Sequence, residues 1–187
     1  SMMVIGGKLT LNGYYESTDI KKPTVAMNMR MDGFDIKETF NTFNTIQKLA
    51  PIGKYATGTF TATVENFNTT LNEKMEPDLT TVNAKGVFRT KQVSVSGFPP
   101  FVKLGEALKM DQLKNMQVQD VNANYRLTAG RLHLDPFDTK IAGIPTNITG
   151  STGLDQTIDY KYKMEIPSKM LGGAATSAIS GILSQAN

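Results

Sequence analysis

Around residues 25–32 apolar and polar residues alternate strictly: Val25, Met27, Met29 and Met31 fall at period two, with Asn28, Arg30 and Asp32 between them. A strand presents successive side chains to opposite faces, so this predicts a strand with one dry face and one wet face. The same period governs residues 55–67, where Ala56, Phe60, Ala62 and Val64 share a face and Thr57, Thr59, Thr61 and Thr63 take the other. It is cleanest over residues 156–166: Ile158, Tyr160, Tyr162, Met164 and Ile166 are predicted to point inward, and Asp159, Lys161, Lys163 and Glu165 outward. Further strands are expected over residues 3–15 and 86–96. A meander follows over 117–128, which contains Tyr125, then 131–141 and 144–150, with turns at Gly130 and Gly143. Pro136 and Phe137 between Asp135 and Asp138 read as a bulge or turn. Short links between neighbouring strands favour antiparallel pairing.

Two segments change period. Ile36, Phe40, Phe43, Ile46 and Leu49 recur every three or four residues until Pro51, which predicts one amphipathic helix over residues 35–49. Phe98, Phe101, Leu104, Ala107 and Leu108, with Pro99 and Pro100 at the start, predict a second. The two align at an offset of 58 residues, which is either a weak duplication (35–95 and 96–166) or the spacing common to any amphipathic helix. A polar connection over residues 69–86 is expected to hold a short helix beginning near Pro77. The tail from residue 168 carries apolar pairs every four residues, a helical stripe that would dock on the sheet edge or groove mouth, or cross a membrane.

These elements describe a β-dominated α+β fold: a curved antiparallel sheet with two to three amphipathic helices over its apolar face, elongated and groove-like. The chain reads as one domain over 1–187, excised from a longer protein. Its net charge of +3 arises from 20 basic and 17 acidic residues spread along the chain, so there is no basic face for nucleic acid. Without cysteine there is no disulfide, thiolate metal site or cysteine nucleophile. The single histidine, His133, alternates with Leu132 and Leu134 and is placed toward solvent. No phosphate loop, nucleophile elbow, dinucleotide fingerprint or calcium loop occurs. No cofactor, metal or catalytic activity is expected. The methionine-lined face suits varied apolar partners or simple core packing.

Three runs carry a family resemblance: MEPDLTTVNAKGVF (75–88), FVKLGEALKMDQLKNMQVQDVNANYRLTAGRLHLDPFDTKIAG (101–143) and TGSTGLDQTIDYKYKMEIP (149–167). Between and within them a strand over residues 93–97 precedes a helix over 104–109, residues 118–120 lead into a strand, and Gly130, Arg131 and Leu132 open the next. The pattern resembles the C-terminal region of AsmA-like proteins of the Bacteroidetes type. That resemblance implies a periplasmic module whose parent is anchored in the inner membrane of a Gram-negative bacterium, and a role in outer-membrane biogenesis.

Phospholipid is then the expected partner, passed along an apolar groove for which Met27, Met29, Met31, Phe60, Val64, Tyr125, Ile158, Tyr160, Tyr162 and Met164 are the candidate lining residues. Contact with the membrane is expected through other parts of the parent, and envelope proteins are further possible partners. A structural adaptor that docks partners by strand addition is the alternative, with a glycan-binding β domain behind it. A charge at Ile158 or Tyr160 is expected to unfold the domain by being buried on the dry face.

Overall fold

A computed structural model describes residues 1–19 and 22–167. One antiparallel sheet organises them, with nine strands in sequence order. The strands are β1 (Met2–Val4), β2 (Gly7–Glu16), β3 (Thr24–Asp35), β4 (Ala56–Thr70), β5 (Asn83–Ser96), β6 (Asn115–Thr128), β7 (Arg131–Ile141), β8 (Ile144–Gly153) and β9 (Ile158–Met164). Helices α1 (Ile36–Thr42) and α2 (Asn44–Leu49) connect β3 to β4, and α3 (Pro99–Leu108) connects β5 to β6. The β-dominated α+β class, the single antiparallel sheet and the three short helices agree with the periodicity.

Turn chemistry explains the uninterrupted meander. Ile5 and Gly6, Ala129 and Gly130, and Ala142 and Gly143 are two-residue connections in which both residues have positive φ, from 49° to 77°. That is the type I′ turn, whose twist matches the right-handed twist of the strands it joins. The expected single strand over residues 3–15 is therefore a hairpin, because its apolar pattern runs on through the Ile5 and Gly6 turn.

The segment over 35–49 is two helices and not one. Asp35 caps α1, its Oδ1 accepting the Glu38 N–H at 2.8 Å, and the Thr39 hydroxyl donates to the Asp35 carbonyl at 2.6 Å. Phe43 then adopts extended backbone (φ −113°, ψ 106°) and separates the helices. The Gln47 amide donates to the Phe40 carbonyl at 2.9 Å and satisfies an acceptor at the break. Phe43 consequently stands 44% exposed, outside the predicted stripe. A 3₁₀ turn over Pro51–Tyr55 follows. No helix forms at Pro77. Leu71 and Pro77 make an isolated bridge instead, and the Thr81 hydroxyl ties Thr69 and Thr70 to the connection at 3.0 Å each. The two strand–helix–strand units differ in construction, since Phe101 is buried where Phe43 is exposed, and Leu49 is buried where Ala107 is exposed. The tail helix lies outside the described residues.

The helices lie over the dry face at the end of the sheet where β3, β5 and β7 finish, and the sheet curls around them. Phe101 of α3 stands 5.8 Å, ring to ring, from Tyr162 on β9, and α2 touches β8. Ala56 of β4 and Ile144 and Ile148 of β8 share one core with Phe101, Leu108, Met110, Leu113 and Met116. A smaller core of Phe34, Phe60 and Ala62 lies toward β1.

Candidate functional site: the dry face of the sheet

Register fixes which side chains share the dry face, because residues directly opposite each other lie on one side of a sheet. Leu9 pairs with Met31 and Leu11 with Met29. Met27 pairs with Phe67, Met29 with Val64, Met31 with Ala62 and Phe34 with Phe60. Val64 pairs with Gly86 and Gly86 with Tyr125. Tyr125 pairs with Leu134 and Leu127 with Leu132. At the far edge Thr152 pairs with Ile158, Gly150 with Tyr160, Ile148 with Tyr162 and Thr146 with Met164. One apolar face therefore runs the width of the sheet. All ten candidate residues lie on it.

Their surroundings divide them. Phe60 is buried, and its ring lies 6.0 Å from Phe34 and 5.2 Å from Phe88. Met31 packs on that cluster, while Tyr160 and Met164 pack on the larger core. These four line core and not groove. Met27, Met29 and Val64 are half-buried and belong to neither cluster. Two inward assignments need correction: Ile158 is 63% exposed and Tyr162 is 46% exposed. β9 forms the rim of the curled sheet, so these residues share the dry face without a neighbouring strand to enclose them.

Two tyrosines close over strand glycines. A Cβ at Gly86 would fall inside the Thr63 carbonyl oxygen and 2.8 Å from the Tyr125 hydroxyl. The absent side chain leaves room for the Tyr125 ring to cross β5, where its hydroxyl donates to the Thr63 carbonyl at 2.8 Å. Burial, with the Glu65 carboxylate adding to it, pushes the Tyr125 phenol up to about 12. Tyr160 likewise lies on Gly150, 2.7 Å from where a Cβ would stand. Its hydroxyl is 2.8 Å from that of Thr152, and burial raises its phenol above the ordinary value. Aromatic cover of strand glycine holds register.

Among the described residues, no helix lies over the face between these tyrosines and β2. Around Met27, Met29 and Val64 it includes Phe67, Leu127, Leu132 and Leu134, all half-buried, and the exposed Leu11 and Tyr15. Small residues, Ala84, Gly86 and Ala123, form its floor on β5 and β6. Strict alternation misses Phe67 because a bulge shifts register between Met27 and Met29, where Asn66 has φ 53°. Asp120, at φ 58°, interrupts β6 in the same way.

Polar chemistry sits on the other face. Arg30 pairs with Asp32 at 2.7 Å and Arg126 with Asp135 at 3.1 Å. One recess, about 560 Å³, is lined by Asn12, Tyr14, Asn28, Asn66 and Asn68 together with Met27 and Phe67. A second, about 330 Å³, holds Arg126, His133, Asp135, Ser151 and Asp159. His133 is opposite Ser151 and Ser151 opposite Asp159. A nucleophilic relay needs the imidazole between serine and carboxylate, whereas here serine is in the middle and accepts from Arg131 Nε at 2.9 Å. No group of three or more His, Asp or Glu suited to a metal occurs among the described residues. None of the helices described is long and apolar enough to cross a membrane.

The described residues define a class of scaffold: an open meander sheet, wet on one face, dry on the other, whose described helices cover only part of the dry face. Comparison with family models, curated proteins and solved structures finds no match to this chain.

Proposed function

We propose that this chain is a non-catalytic periplasmic module of an inner-membrane-anchored, AsmA-like protein, and that it holds phospholipid by an acyl chain laid along the uncovered part of its dry face, in the service of outer-membrane biogenesis. The observation that carries the reading is the strip of half-buried apolar side chains, Met27, Met29, Val64, Phe67, Leu127 and Leu132, with no helix above it among the described residues. A contiguous apolar surface left open on an otherwise well-covered sheet marks a binding face. Each methylene removed from water there contributes about 0.8 kcal/mol, so a chain need engage only part of its length to offset the cost of association. Methionine and a floor of small residues adapt to a flexible, featureless ligand. The envelope setting rests on the resemblance of residues 75–88, 101–143 and 149–167, and the mode of binding rests on the fold.

The test is saturable binding of a fluorescent fatty acid, displaced by phosphatidylethanolamine, together with native mass spectrometry of the purified protein. A one-to-one complex that weakens at least tenfold in Val64→Asp, with the thermal melt retained, is expected. Absence of saturable binding, or binding indifferent to Val64→Asp, contradicts the reading.

A further inference from the structure

On the wet face, β7 bulges between Leu134 and Phe137, and a recess of about 330 Å³ opens beside the bulge across β6, β7, β8 and β9. A bulge bends its strand and re-aims the side chains around it. Register lays a row of polar side chains through the recess: Arg126 is opposite His133, His133 opposite Ser151, and Ser151 opposite Asp159. Two residues further along the same face, Thr149 is opposite Lys161. Strands stand about 4.8 Å apart, so Ser151 at the centre has His133 and Asp159 beside it in the row and Lys161 on the diagonal.

The groups around Ser151 are left without partners. On β3, Arg30 and Asp32 stand two residues apart and pair at 2.7 Å, and Arg126 holds Asp135 at 3.1 Å. Asp159 and Lys161 have the same two-residue spacing on β9, yet neither side chain makes an ion pair or hydrogen bond with a described residue, and neither does that of His133. Ser151 is 8% exposed, and its Oγ accepts from Arg131 Nε at 2.9 Å. A hydroxyl that accepts still has its own proton to donate, and no described residue takes it. Arg131 is itself committed, its Nη1 donating to the Thr157 hydroxyl at 2.8 Å.

The recess therefore offers donors at His133, Ser151 and Lys161, with one unpaired carboxylate, Asp159, beside them. A simple anion drawn to Lys161 would meet the Asp159 carboxylate. A simple cation drawn to Asp159 would meet Lys161 and Arg126. A ligand that carries both charges close together complements both signs at once. We propose that this recess is a second binding site, for a compact zwitterion of the phosphoethanolamine type, in which a short aliphatic link joins an oxyanion to an ammonium. The oxyanion lies over the Ser151 hydroxyl between His133 and Lys161, and the ammonium lies on Asp159. The same chemistry occurs as a free solute and as a lipid headgroup. The site is across the sheet from the apolar strip, shares no residue with it, and does not rest on the acyl-chain reading.

Calorimetric titration of the full chain with O-phosphoethanolamine tests it, with inorganic phosphate and ethanolamine titrated separately. A few charge-assisted contacts in an open recess predict one-to-one binding with a Kd on the order of 1 mM, at least tenfold tighter than either half alone. Asp159→Asn should bring O-phosphoethanolamine down to the affinity of inorganic phosphate, and Lys161→Met should weaken it at least fivefold. Both positions are exposed, so both variants should melt as the parent does. The probe has no acyl chain, so its result stands apart from fatty-acid binding. Phosphatidylcholine vesicles with and without phosphatidylethanolamine assign the source: sedimentation that needs phosphatidylethanolamine and is blocked by O-phosphoethanolamine makes the ligand a headgroup, and no such dependence makes it a free zwitterion. Either source fits the site. No saturable binding up to about 20 mM, inorganic phosphate bound as tightly as O-phosphoethanolamine by the parent, or an affinity indifferent to Asp159→Asn would each overturn the proposal.

Discussion

Replacing Tyr125 by Phe removes one oxygen and leaves the ring over Gly86, so it isolates the hydroxyl that donates to the Thr63 carbonyl at 2.8 Å. A hydrogen bond of this kind contributes about 1 kcal/mol net. For a chain of this size that is a fall of roughly 2–4 °C in the melting temperature. The second signature is pH dependence. The phenol is pushed from its ordinary 10.0 up to about 12 because the folded state favours the neutral form. Its stabilisation is thus complete below pH 10 and is lost as pH rises through 12, a linkage on the order of 3 kcal/mol. Urea titrations of parent and variant from pH 8 to pH 12 separate the two effects. The parent should be the more stable at pH 8, and its advantage should shrink and reverse toward pH 12, because Phe has no proton to lose. Equal stability at pH 8 together with parallel pH profiles would refute the placement of this hydroxyl against the Thr63 carbonyl.

Ile158→Asp should cost less than about 0.5 kcal/mol, as surface substitutions do, whereas Ile144→Asp, at a residue with 0% exposure, should abolish the cooperative thermal transition. Phe34→Ala opens a cavity beneath the Phe60 ring and should lower the free energy of urea unfolding by about 3–5 kcal/mol. Asp35→Ala removes the cap of α1 and should cost about 1 kcal/mol in the same assay. Gly86→Ala drives a methyl into the Thr63 carbonyl and the Tyr125 hydroxyl, and should cost at least about 2 kcal/mol by overpacking.

Period two carried most of the fold, because each strand is wet on one face and its polar residues needed no other explanation. Pro99 and Pro100 marked the start of α3 correctly, since proline loses nothing at the first turn of a helix. The break at Phe43 was invisible, because an apolar residue at helical spacing looks the same whether its backbone is helical or extended. The hairpin at Ile5 and Gly6 was missed because the apolar pattern runs on through the turn, and the positive-φ residues Asn66 and Asp120 interrupt β4 and β6 where no glycine announces a bulge. Among the candidate groove residues, alternation placed every one on the dry face except Tyr125, which was read only as part of the 117–128 strand. It could not say that Phe60 would be buried and Met31 packed in the core around Phe34, that Tyr125 would cross β5 to Thr63, or that the rim position of β9 would leave Ile158 in solvent. Those outcomes depend on which end of the sheet the helices cover, and sequence spacing does not encode that.

The account turns on where an acyl chain lies, and photocross-linking measures that directly. A fatty acid bearing a diazirine near its methyl end, bound at one equivalent and activated, labels the side chains around it, and mass spectrometry of the digest assigns them. Labels on Met27, Met29, Val64, Phe67, Leu127 and Leu132, suppressed by excess phospholipid, are the expected result. Labels confined to the polar recess at Asn12, Asn28 and Asn68, or scattered without competition by phospholipid, would contradict the account.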